Sequence, residues 1–141
     1  MKKILLLSCL LVNCLMYSQL AWEETNTGTS CTVSIGEFSA WGMTDPTLNG
    51  DLLPEGALIG VFYLDDQALL QCGGFTSYLP GETMSFPTYG DDATTDETDG
   101  FASGQNFVWY VSIDGVDYLA QATYSGGGGF IDVYQTNQIS R

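Results

Sequence analysis

From Cys31 onward the apolar and polar positions of this chain alternate with a period of two, the spacing of a half-buried β-strand, and no window sustains a helical period. Cys31, Val33 and Ile35 share one face of the first such run. Leu58–Leu64 is instead almost continuously apolar, as expected of a central strand covered on both sides. Asp65-Asp66-Gln67 turns it into a return strand, Ala68–Tyr78, whose Gly73-Gly74 pair suits a β-bulge or a close backbone approach. After the Pro80-Gly81 turn, Thr83–Tyr89 reads as a strand, and Pro87 inside it predicts an edge position. Phe107, Trp109, Val111 and Ile113 alternate into Asp114-Gly115, and Val116, Tyr118, Ala120, Ala122 and Tyr124 alternate out of it. A two-residue Asp-Gly link between such runs predicts a hairpin with a type I′ turn. Gly126–Gly129 then leads to a short strand at Phe130–Tyr134.

About seven or eight strands with a turn signal every ten residues or so predict an all-β fold, an antiparallel β-sandwich of immunoglobulin-like or carbohydrate-binding-module-like kind. Asn137–Arg141 opens a further β segment without a stop signal, so the sequence reads as incomplete at its C-terminus.

The N-terminus has a different character. Lys2-Lys3 precedes the apolar stretches Ile4–Leu7 and Leu10–Val12, and the polar Ser18-Gln19 follows, which together read as a signal peptide over residues 1–19. Cleavage is expected after Ser18 or Gln19; the rival is lipoprotein processing at Cys14, which would leave a lipid anchor. Residues 20–141 form one domain, and nothing in them approaches the ~20 apolar residues of a membrane span. The expected location is secreted or at the cell surface.

Lys2, Lys3 and Arg141 are the only basic side chains, and histidine is absent. Beyond residue 19 one arginine faces seventeen acids, a net charge of −16 against −14 for the whole chain. With no imidazole base and no amine in that region, nucleophilic triads and Schiff-base chemistry are excluded there. Polyanions such as nucleic acid lack the Lys and Arg contacts on which their binding rests. Cys31 and Cys72 are the cysteines left after residue 19, and an oxidising compartment suggests a disulfide between them. It would close a loop of roughly 40 residues and stabilise the fold by roughly 3–4 kcal/mol. The alternative is two buried free thiols on neighbouring strands.

Three groups of residues could carry chemistry. Asp91, Asp92, Asp96 and Asp99, with Glu97, crowd one glycine-ended loop, and such a loop could offer several of the six to eight oxygens calcium needs, although the spacing is not that of an EF-hand. The bland reading is a solvated loop whose aspartates cap turns. The pairs Asp65-Asp66, Asp91-Asp92 and Asp114/Asp117 raise glycoside hydrolysis, which needs one carboxyl group raised in pKa by burial. Each pair sits at or beside a turn, so catalysis is not expected. Trp22, Trp41, Tyr78 and Tyr89 lie near strand ends or in loops where a sugar face could stack, with Trp41 and Tyr89 the preferred ligand contacts, whereas Trp109 belongs to the core.

Gly28-Thr29, Ile59-Gly60-Val61-Phe62-Tyr63, Cys72-Gly73-Gly74-Phe75, Tyr89-Gly90-Asp91-Asp92 and Asp99-Gly100-Phe101-Ala102-Ser103-Gly104 occur in the order of a repeat module that this chain resembles. The module belongs to large secreted and cell-surface proteins of Bacteroidota associated with type IX secretion. Members commonly have Trp where this chain has Tyr89 and Lys where it has Thr98. The resemblance implies a β-sandwich with further repeats of the same protein as neighbours, and it carries no catalytic residues over to this chain. The expected function is a secreted, non-catalytic adhesion or glycan-binding module with polysaccharide or surface glycan as partner and calcium as a cofactor. The alternative is a structural spacer without a ligand of its own, with a glycoside hydrolase behind both.

Overall fold

The computed structural model describes residues 19–36, 43–124, 132–136 and 139–140. Among the described residues there are nine strands and no helix. In chain order the strands are β1 (Ser30–Gly36), β2 (Thr47–Leu48), β3 (Asp51–Leu52), β4 (Leu58–Leu64), β5 (Leu70–Ser77), β6 (Thr83–Tyr89), β7 (Val108–Ile113), β8 (Val116–Ala120) and β9 (Ile139–Ser140). A three-stranded sheet ordered β6-β1-β9 faces a four-stranded sheet ordered β5-β4-β7-β8, and β2-β3 is a small separate hairpin. All pairings are antiparallel except β1 with β9. The chain is an all-β sandwich, and β6 is the edge that Pro87 predicts.

The interior follows from the alternation. Cys31, Val33, Phe86 and Met84 from one sheet meet Ile59, Val61, Tyr63, Trp109 and Val111 from the other. Burying each large side chain stabilises the fold by roughly 1.5–3 kcal/mol. Phe101 packs edge-on against Phe107 with ring centroids 5.0 Å apart and stacks on Tyr134 at 5.6 Å. The expected Phe130–Tyr134 strand is reduced in its described part to a bridge between Val133 and Asn106, with Tyr134 N donating to Gln105 O at 2.8 Å.

β4 is buried on both faces, as its unbroken apolar run requires. Its outer-face residue Phe62 is fully buried although it points away from the interior. Trp22 lies edge-on to Phe62 at 5.1 Å and to Phe75 at 5.9 Å. Residues 20–24 therefore form a strap across the outer face, tied to β8 by Asp117 and to the edge of β5 by a Glu24–Cys72 bridge. Gly60 makes room for it, since a Cβ there would come within 3.0 Å of Trp22 Cζ3.

The Gly73-Gly74 pair does both things expected of it. Val61 pairs with Gly74 and Phe62 with Cys72, which leaves Gly73 as the extra residue of a bulge. Gly74 meets the Pro87 carbonyl so closely that a Cβ would clash with it, and this contact brings the edges β5 and β6 together. The bulge also decides the fate of the cysteines. Without it Cys72 would oppose Tyr63 and face the interior; with it Cys72 opposes Phe62 on the outer face, beneath the strap. Cys31 stays inside, where its thiol is 2.7 Å from Thr88 Oγ1. The expected Cys31–Cys72 disulfide is absent: both thiols are free and buried, on opposite sides of the four-stranded sheet.

Candidate functional site

The two sheets differ in width, and the difference leaves one flank of the sandwich open. Val116, Tyr118 and Ala120 of β8 pair with Ile113, Val111 and Trp109 of β7, so they project from the inner face. The three-stranded sheet does not reach over them, and Val116 and Tyr118 are 52 % and 38 % exposed. A groove of about 730 Å³ lies there, between the end of β1 at Ile35-Gly36, the inner faces of β7 and β8, and residues 121–124. The β2-β3 hairpin and the residues before it, Met43–Pro46, complete its wall.

The groove combines aromatic surface with uncharged polar groups. Trp109 Nε1 donates to Tyr124 OH at 2.7 Å, which fixes both rings, and the exposed ring of Tyr118 continues the apolar floor. Thr44, Thr47, Asn49, Gln121 and Thr123 supply hydroxyl and amide groups. Asp45 is the only carboxylate lining the groove among the described residues. Its Oδ2 accepts from Gly81 N at 3.2 Å, whereas its Oδ1 is buried with no hydrogen-bond partner.

The β2-β3 hairpin was not apparent from hydrophobic alternation because each arm is two residues long. Its signal is the turn itself. Asn49 and Gly50 carry φ of 55° and 93°, the pair of positive angles that an Asn-Gly turn provides. Asp114 and Gly115, at 51° and 77°, form the predicted hairpin turn of the same kind between β7 and β8.

The aromatic candidates separate. Tyr78 is fully buried and cannot offer a face to a sugar; its ring is part of the core. Trp22 is spent on the strap, its ring on Phe62 and Phe75 and its Nε1 on Asp117 Oδ1 at 3.0 Å. Tyr89 is half-buried and pairs with Ser30, at the end of the β1–β6 ladder opposite Gly36 and the groove. Trp109 is in the core as expected. Trp41 lies outside the described residues, in the 37–42 segment that joins Gly36 to Met43, both of which line the groove.

The acidic loop lies near the Asp65–Gln67 turn, away from this groove, and together they border a smaller pocket of about 380 Å³ that includes Tyr63, Asp96 and Asp99. Asp91 Oδ1 accepts from Asp99 N at 3.1 Å and Asp99 Oδ1 from Asp92 N at 3.0 Å. Asp92 Oδ1 accepts from Thr94 N and Oγ1, and these bonds hold the Asp92 carboxyl below its ordinary pKa. Asp65 is lowered likewise, by its bonds to Leu69 N, the Gln71 side chain and Gln67 N. Three of the four aspartates considered for calcium thus cap the backbone of their own loop, and Asp96 makes none of these bonds. Among the described residues no group of three or more His, Cys, Asp or Glu side chains is placed to hold a metal ion.

Burial pushes the Tyr63 hydroxyl up to about 12, aided by the charges of Asp99, Asp65 and Asp91, and pushes the Cys72 thiol up to about 12 as well. Burial raises the carboxyl group of Glu24, at the end of the strap. No helix among the described residues is long and apolar enough to cross a membrane. In comparisons with known proteins, no family model, curated protein or solved structure matches the chain.

Proposed function

We propose that this chain is a non-catalytic glycan-binding module whose ligand lies in the open groove between the sheets. The observation that carries the reading is the exposed Tyr118 ring on the inner face, beside the hydroxyl and amide groups of the groove. A pyranose presents an apolar face of C–H groups and a rim of hydroxyls. The aromatic floor covers the first, and the exposed Asn49 and Gln121 can bond the second.

Hydrolysis by the carboxylate pairs outside the groove is the poorer account. A glycosidase needs a carboxyl group held protonated, yet Asp65 and Asp92 are pushed the other way, and Asp117 binds the strap through both oxygens. The spacer alternative draws on the acidic loop, where Asp91 and Asp99 accept from the loop's own amides, and on the resemblance to repeat modules.

Affinity electrophoresis through gels holding soluble neutral polysaccharides tests the proposal. Retardation by at least one polymer is expected, and Tyr118→Ala should weaken it by about 1–2 kcal/mol, as for loss of a central aromatic contact. Unretarded migration across the panel would leave the spacer reading in its place.

A further inference from the structure

We infer that the peptide bond between Gln19 and Leu20 is a processing site, and that the α-ammonium group freed on Leu20 pairs with Asp117 to lock the strap onto the sandwich. The bond marks a change in the chain. Before it lie the Lys2-Lys3 and apolar features of an export signal; after it, residues 20–24 pack on the outer face. Leu20 N is 2.8 Å from Asp117 Oδ2, while Trp22 Nε1 is 3.0 Å from Oδ1. One carboxylate therefore holds the strap twice, at its first residue and at its largest side chain.

Hydrolysis by an export endopeptidase adds water across the bond. The hydroxyl goes to the Gln19 carbonyl carbon and the hydrogen to Leu20 N, and the acid proton of the new Gln19 carboxyl passes to the amine. The weak amide donor at Asp117 becomes a cation with three donors, and charge-assisted bonds of this kind are about twice as strong as neutral ones. Gln19 is exposed, so a peptidase can reach the bond. The charge inventory adds a second argument. From Leu20 onward the chain has no lysine or histidine and a single arginine, at its last position. No cationic side chain faces Asp117 among the described residues, and the new terminus supplies the cation.

That inventory also makes the test specific, because in the processed chain the Leu20 amine is the only primary amine. The full chain is expressed in a host that exports it, and its N-terminus is read by mass spectrometry. Leu20 is the expected first residue; an unprocessed chain, or a start at Gln19 or at a lipidated Cys14, overturns the inference. The processed protein is then acetylated with a succinimidyl ester, folded and in denaturing urea. Pairing should slow modification of the folded form by about 10-fold or more. Asp117→Asn should abolish that protection, and Trp22→Phe, which keeps an aromatic ring and removes the donor, should retain it. Equal rates for folded and unfolded wild type overturn the ion pair, and this comparison holds even where Asp117→Asn does not fold.

Discussion

Gly74→Ala probes the closed flank of the sandwich, where β5 and β6 touch backbone to backbone. An added methyl would stand 3.0 Å from Thr88 Cγ2 and 3.2 Å from the Pro87 carbonyl carbon, with the carbonyl oxygen nearer still. Carbon atoms in ordinary contact are about 3.5–4.0 Å apart, so β6 must withdraw by about half an ångström or more. Pro87 cannot yield alone, because β6 is laddered to β1 along its whole length, from Thr83–Gly36 to Tyr89–Ser30. Overpacking of this kind costs roughly 1–3 kcal/mol, and the rigid partner favours the upper part of that range. Gly74 does not have a positive φ, so alanine recovers about 0.5–1 kcal/mol of backbone entropy. The net loss is roughly 1.5–2 kcal/mol, equivalent to a fall in Tm of about 5–10 °C for a domain of this size. Urea unfolding followed by tryptophan fluorescence should show a lower midpoint and an unchanged slope. A midpoint equal to that of the wild type would mean that the two edges are not in contact and that the flank is not closed as described.

Thiol titration of the unfolded protein processed after Gln19, without reductant, should count two free cysteines, and the folded protein should be nearly inert because burial raises both thiols; no free thiol after unfolding would reinstate the disulfide. Tyr63 should give stability an alkaline limit. Its folded pKa of about 12 lies above the ordinary value of 10, so its contribution is complete below pH ~10 and lost as the pH rises through the folded value. Tyr63→Phe should flatten that part of the curve, and an unchanged alkaline limb would assign it elsewhere, to Cys72 or Tyr124 for instance. Millimolar calcium should move Tm by less than about 1 °C, because a ligand stabilises only in proportion to its binding and three aspartates of the loop already cap its own amides. A chelator-reversible rise of several degrees would show that the loop holds the ion after all.

Period-two patterning made most of the sandwich legible, and the residues that broke the pattern carried the rest. Leu58–Leu64 predicted a doubly covered strand, Pro87 an edge and Asp114-Gly115 a hairpin, since each acts through local backbone chemistry. The Gly73 bulge was visible as a pair of glycines, but its consequence was not. One extra residue reverses the face of everything before it in β5, so the cysteine pairing depended on a register that composition does not encode. The groove was hidden for a related reason. Tyr118 sits in the same alternating frame as Trp109 and Val111, and only the unequal widths of the sheets separate exposed from buried. Sheet width is a property of the whole fold. Tyr78 shows the converse error, an aromatic beside a turn that tertiary packing buries completely.

Charge narrows the ligand further than groove shape does. Among the described residues the groove is lined by one carboxylate, Asp45, and by no cationic side chain. Beyond residue 19 the chain carries −16, with its acids gathered at turns such as Asp65-Asp66, Asp91–Asp99 and Asp114. At physiological ionic strength, fields decay over about 8 Å, so an acid next to the ligand acts strongly and distant ones faintly. A uronate or sulfated polymer would meet Asp45 directly with no guanidinium or ammonium to offset it, whereas a neutral hexose polymer meets only donors and acceptors. Neutral glycans should therefore bind with little salt dependence. Anionic ones should be rejected at low salt and approach the neutral case only as salt rises. Tight binding to a polyuronate at low salt, weakening as salt is added, would contradict this argument, because its attraction requires a positive patch that these residues do not form. Loss of that binding in a chelator would identify a bridging divalent cation as the missing charge and return the acidic loop to the centre of the function.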